Sequence, residues 1–176
     1  MKENFDSCFN MVLKHEGGFV EHPKDPGGMT NLGVTKAVWE AYLGREAAEA
    51  EMRALTPDSV KPVYKTKYWD KIKGDALPAG VDYATFDFAV NSGPNKAAKT
   101  LQKIAGVLAD GVIGIKSLDA IQACAADDTI DALCDMRMEF LKSLSTFEIF
   151  GKGWTDRVMQ VRTMALRMAQ QNQMRA

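Results

Sequence analysis

Glu16 is the residue whose position promises chemistry. At about 100° per residue, Phe5, Phe9, Val12 and Leu13 fall within an arc of about 100°, and Glu16 lands near its centre. A glutamate on the core-facing stripe of a helix is out of place. Burial disfavours the charged carboxylate, and the negative end of the helix dipole in the last turn disfavours it again. An acid that keeps its proton near neutral pH is what breaking a glycosidic bond requires, because the leaving oxygen must be protonated as the bond parts. The competing reading is a helix end that frays and lets Glu16 reach water. Gly17 and Gly18 follow directly, and backbone without side chains beside a carboxylate admits a bulky ligand.

Downstream, Asp25, Thr30, Asn31 and Thr35 gather small polar groups in one stretch. A carboxylate or hydroxyl holding a water opposite the acid completes an inverting hydrolase, whereas a closer carboxylate makes a retaining one. The same residue types also make turns, and that reading stays open. His15 and His22 lack the spacing of a metal pair, and Cys8, Cys124 and Cys134 are too few and too scattered for a finger or a disulfide framework. No metal or organic cofactor is expected. A second polar row comes from Asp87 and Asn91, four apart on one helix and sharing a face with Tyr83. Polar groups beside aromatic rings suit sugar binding, with Tyr68 and Trp69 as candidate rings and Trp39 and Trp154 assigned to the core.

These groups need helices to position them. A first helix spans roughly 3 to 16 and stops at the glycine pair. From Phe19 to Val34 two prolines and several glycines predict a turn-rich loop with a short hairpin. Thr35 is a candidate N-cap for a helix carrying Val38, Trp39, Tyr42 and Leu43. Pro57 opens the next, with Val60, Val63, Tyr64, Tyr68 and Trp69 inward and Gly74 beyond its end. Asp82 caps a helix that Gly93-Pro94 terminates, and a segment from near Asn95 leads to the turn Asp110-Gly111-Val112-Ile113-Gly114. Two longer helices, about 128 to 146 and about 154 to 171, close the chain. The fold class is mainly α.

The 176 residues match one domain or two small lobes, able to bury roughly 70% of the unfolded chain's surface. With 22 basic and 23 acidic residues the formal net charge is -1, so no global field gathers phosphates and nucleic acid is a poor partner. The opening residues hold Lys2, Glu3, Asp6 and Lys14, which argues against a cleaved secretory signal, and no apolar run approaches the ~20 residues of a membrane span.

His15-Glu16-Gly17-Gly18-Phe19, the run Asp25 to Thr35, and Trp39 together resemble the N-terminal signature of the glycoside hydrolase family 108 lysozyme-like muramidases. Tyr68-Trp69-Asp70, Phe86-Asp87 with Val90-Asn91-Ser92-Gly93, Leu101-Gln102 through Gly114, and Gly153-Trp154 with Arg157 continue the similarity over roughly residues 5 to 165. The resemblance implies a lysozyme-like helical fold. It divides the chain into a catalytic part, 1–92, and a helical peptidoglycan-binding-like part, 93–176. The implied activity is hydrolysis of the β-1,4 bond between N-acetylmuramic acid and N-acetylglucosamine, with Glu16 the catalytic glutamate. Members include phage endolysins and proteins that assist secretion. In a related class of phage lysozymes an acid follows the glutamate by nine positions and a threonine follows that acid by six; here Asp25 fits and Thr30 comes one early. A non-catalytic wall-binding module is the alternative. A substrate outside the membrane implies a holin-type pore or a secretion system as partner, with synthesis in the cytoplasm and action in the periplasm or wall.

Overall fold

The opening helix, α1 (Asn4–Leu13), buries Phe5, Cys8, Phe9 and Val12 on one stripe. It stops at Leu13, not at 16. The turn that follows is closed by His15 N donating to Val12 O at 2.9 Å and Glu16 N to Leu13 O at 3.1 Å, so Glu16 lies beyond the helix. The computed structural model describes residues 4–21 and 28–174, and these form two compact units: Asp6–Thr66, and Lys67–Ala176 together with the first residues of the chain. The helices on either side of residue 93 pack against each other within the larger unit.

In the smaller unit three short strands, β1 (Val20–Glu21), β2 (Met29–Asn31) and β3 (Val34–Thr35), form an antiparallel sheet in sequence order. Val20 pairs with Thr30, and Thr30 with Thr35. Thr35 caps α2 (Lys36–Leu43) as its sequence predicts, its hydroxyl accepting from Val38 N. A short α3 (Glu49–Arg53), which carries too few apolar residues to announce itself, supplies buried Met52. Pro57 sits at the start of α4 (Pro57–Tyr64), behind a capping box made by Thr56 and Ser59. The helix expected to run on to Gly74 instead widens into a π-turn, Lys65–Trp69, followed by a 3-10 turn, Gly74–Ala76. Phe9 and Tyr64 meet edge to face at 5.3 Å in the core of this unit.

The larger unit is built around α5 (Val81–Ser92), whose residues Val81 to Ala89 are all buried. A helix apolar on every side belongs in the middle of a bundle. It is covered by α6 (Pro94–Ile104), α8 (Ala126–Lys142) and α9 (Phe147–Gln173). Gly80, at φ +85°, lets α5 start against α9, since a Cβ there would overlap the carbonyl oxygen of Ala165. α5 starts at Val81 behind Gly80, so Asp82, expected as its cap, lies one residue inside the first turn; its Oδ1 accepts from Gly80 N at 2.8 Å and Tyr83 N at 2.7 Å and its Oδ2 from Asn4 Nδ2 at 2.8 Å. Burial pushes its carboxyl up from the usual carboxylate range. Phe5, Trp69 and Phe86 form a cluster of rings with centroids 5.3 to 6.0 Å apart.

Between α6 and the short α7 (Ile115–Ala123), the turn at Asp110 to Gly114 is wired to one buried amide. Gln102 Nε2 donates to Asp110 Oδ1, Val112 O and Ser117 Oγ, and its Oε1 accepts from Gly111 N. That wiring makes the turn a structural connection. No helix among the described residues is long and apolar enough to cross a membrane.

Candidate active site

In the smaller unit, the β2–β3 hairpin closes on Asn31 and Val34 with two central residues at positive φ, Leu32 at 49° and Gly33 at 72°. Two left-handed residues in a two-residue loop define a type I′ turn, whose twist matches that of the strands. Glycine suits this position. Leucine does not, and holding it there costs about 1 kcal/mol or more. The turn is held from below by Tyr64, whose buried hydroxyl donates to Leu32 O at 2.8 Å.

Glu16 meets this turn. A Cβ on Gly33 would overlap the Tyr64 hydroxyl and come within 2.9 Å of Glu16 Oε2 and 3.1 Å of its Cγ. The carboxyl group therefore lies directly against the bare backbone of Gly33, and Glu16 itself is half-buried. Neither Gly17 nor Gly18 has a positive φ, and among the described residues a Cβ on either would meet nothing within 4 Å. Packing within the described chain does not demand glycine at those two positions. They leave open backbone next to the acid, which a bulky ligand can approach.

The other expected residues are distributed as follows. Thr30 lies in the central strand, half-buried. Asn31 is buried, and its Nδ2 donates to Met52 O at 2.9 Å, so it ties β2 to α3. Thr35 spends its hydroxyl on the α2 cap. Asp25 and His22 lie outside the described residues.

In the larger unit two members of the expected sugar-facing row, Trp69 and Asp87, are buried. Trp69 is 0% exposed, its ring lies on Gly74, and its indole N–H donates to Asp75 Oδ1 at 2.9 Å, so it is core. Asp87 is likewise 0% exposed and is gripped by two arginines. Arg137 Nη1 donates to Oδ1 at 2.7 Å, while Arg157 donates through Nε to Oδ1 at 3.0 Å and through Nη2 to Oδ2 at 2.9 Å. Burial alone would push this carboxyl up; the guanidiniums of Arg137 and Arg157 outweigh it and hold Asp87 below the usual carboxylate range. Its work is to join α5, α8 and α9. Asn91 accepts from Arg137 Nη2 at 3.2 Å and remains half-buried, as does Tyr68.

Three residues of these networks were not singled out by sequence reasoning. Tyr64 and Gly33 were passed over as ordinary core and loop, although Asn31-Leu32-Gly33-Val34 is a hairpin-turn sequence with its glycine in place. Arg137 carries a plainer signal. It falls on the same stripe as Ile130, Leu133, Cys134 and Leu141, and a cation on a core stripe requires a buried carboxylate.

A helical bundle with a small antiparallel sheet, and an acid standing against the sheet's tight turn, is the lysozyme-like class. The chain belongs to the glycosyl hydrolase 108 family, whose model matches residues 9–93. It is similar to SagA of Brucella abortus, with 51% identity, a TM-score of 0.87, and coverage of 96% of this chain and 97% of that one. Among curated proteins none matches the chain. At family level the protein is thus a glycosidase acting on peptidoglycan.

Proposed function

We propose that the protein is a muramidase that cleaves the β-1,4 bond between N-acetylmuramic acid and N-acetylglucosamine, with Glu16 as the general acid. The observation that carries this is the lodging of the Glu16 carboxyl against the backbone of Gly33. The turn holding Gly33 is fixed by the Tyr64 hydroxyl, and open glycine backbone lies on the chain side of the acid. A carboxyl held against a fixed turn, with glycine backbone following it in the chain, meets the positional requirement for protonating a leaving oxygen.

The reaction needs few parts. Glu16 gives its proton to the glycosidic oxygen as the bond to the anomeric carbon breaks, and a water oxygen adds to that carbon. On the strength of their sequence order after Glu16, Thr30 is the proposed group that orients this water and the Asp25 carboxylate the one that accepts its proton. The substrate fixes the place of action as the cell wall, reached through a holin-type pore or a dedicated secretion system.

Loss of turbidity of purified sacculi tests the role of Glu16. The parent protein is expected to clear them and Glu16→Gln to leave them intact, with both proteins equally folded by circular dichroism. Equal clearing by the two removes Glu16 as the acid. Binding to sacculi without clearing by the parent itself identifies a wall-binding module instead.

A further inference from the structure

We propose that Arg53, the last residue of α3, is a positioning residue for Glu16: through Phe19 it fixes the segment by which the chain leaves the acid, an inference that rests on the muramidase reading of the same site. Phe19 follows Glu16 by three positions, with only Gly17 and Gly18 between them. A glycine pair transmits little orientation of its own, because no side chain restricts its backbone torsions. The direction in which the chain leaves Glu16 is therefore set by whatever holds Phe19. Beyond Phe19 lies β1, an edge strand of two exposed residues, paired through Val20 with Thr30 and through Glu21 with Met29. So short a pairing is weak by itself.

Arg53 supplies the further hold. Its guanidinium lies 4.0 Å from the centroid of the Phe19 ring. Nε donates to Glu49 Oε1 at 2.7 Å, which orients the planar group from within α3, and Nη2 stands 2.7 Å from the same oxygen and 3.6 Å from Glu21 Oε2. One side chain thus grips the ring that precedes β1 and the carboxylate at the end of β1. The last turn of α3 holds the neighbouring strand as well, since Asn31 Nδ2 donates to Met52 O at 2.9 Å and to Arg53 O at 3.4 Å. Asn31 leads into the turn that carries Gly33, against which the Glu16 carboxyl rests. Residues 52 and 53 therefore fix both sides of the acid: the turn it leans on, through Asn31, and the chain that leaves it, through Phe19. The side chains of Arg53, Glu21 and Glu49 are 52%, 45% and 50% exposed, and ion pairs so exposed add little to stability. Their effect is on direction, which a planar group paired and stacked at once can set.

Initial rates of sacculus clearing by the full chain, measured over a range of sacculus concentrations, give kcat and KM. Arg53→Ala is expected to lower kcat about tenfold with KM within about twofold of the parent, because the acid is displaced while no substrate contact is lost. Arg53→Lys keeps the charge without the flat face and should recover part of the loss. Phe19→Leu keeps apolar bulk without the ring; it should resemble Arg53→Ala, and the double variant should fall no further. Arg45→Ala removes an exposed guanidinium that pairs with Glu51 of the same helix at 2.9 Å and should leave kcat unchanged. The arginine variants should melt within about 3 °C of the parent. A parental kcat in Arg53→Ala, additive losses in the double variant, an equal loss in Arg45→Ala, or a kcat loss that tracks a large fall in melting midpoint overturns the proposal. The carbon-13 resonance of the Glu16 carboxyl, which needs no activity, is recorded for the same proteins and should move in Arg53→Ala but not in Arg45→Ala. That pattern without clearing by the parent overturns the muramidase reading alone. Clearing by the parent, with an unmoved resonance and a parental kcat in Arg53→Ala, overturns the positioning role alone.

Discussion

Replacing Asp87 with asparagine removes one negative charge from a place where two cations depend on it. The side chain of Asp87 is 0% exposed, that of Arg137 2% and that of Arg157 12%. Removing one partner of a buried pair leaves its counterpart uncompensated and costs about 3–5 kcal/mol. For a chain of this length each kcal/mol lowers the midpoint by roughly 2–4 °C, so Asp87→Asn should melt about 6–20 °C below the parent at pH 7. Differential scanning calorimetry measures this. Changing Arg137 to methionine in the same background should recover part of the loss, because one stranded guanidinium is gone. The pH dependence follows from the direction of the shift. A carboxyl held below its usual range stabilises the fold fully above its unfolded value of about 4, and the contribution disappears as pH falls through the folded value. The gap between parent and variant should therefore narrow in acid. A variant that melts within about 2 °C of the parent at pH 7 refutes the reasoning.

Other perturbations separate the parts of the site. Gly33→Ala forces a Cβ into the Tyr64 hydroxyl and toward Glu16 in a left-handed conformation; it should cost about 1–3 kcal/mol by thermal melting and reduce sacculus clearing beyond what that loss of folded protein explains. Tyr64→Phe deletes the bond to Leu32 O and should cost about 1 kcal/mol, with clearing lowered because the turn beside the acid loosens. Gln102→Leu strips four hydrogen bonds from the turn at 110–114 and should cost about 2–3 kcal/mol. Hydrogen exchange at Gly111 and Val112 should accelerate, while the specific activity of the folded protein is unchanged.

Much of this framework is written in local chemistry. Thr35 before Val38, Pro57 behind Thr56 and the Gly93-Pro94 break each act on their own neighbours, so caps and stops are readable in the chain. The exit from α1 is not, because no breaker precedes Gly17 and the apolar period continues through Glu16. The inward stripe was right in register, yet it is the turn after α1, meeting the distant Gly33, that seats the acid. α7 has no side-chain cap to mark its start, and α9 begins at Phe147, ahead of the expected 154, behind Thr146, which likewise makes no capping hydrogen bond. Trp69 and Asp87 show the limit most clearly. Each has a residue type that suits a sugar, and each is buried by partners that sequence order cannot reveal: Gly74 and Asp75 for one, arginines 50 and 70 positions away for the other.

The assignment of Glu16 to glycosidic cleavage is tested most directly by mass spectrometry of the fragments released from sacculi. The parent protein should release saccharides ending in reducing N-acetylmuramic acid, and Glu16→Gln should release none. Fragments ending in reducing N-acetylglucosamine, free peptides with intact glycan, or the same products from both proteins would contradict it.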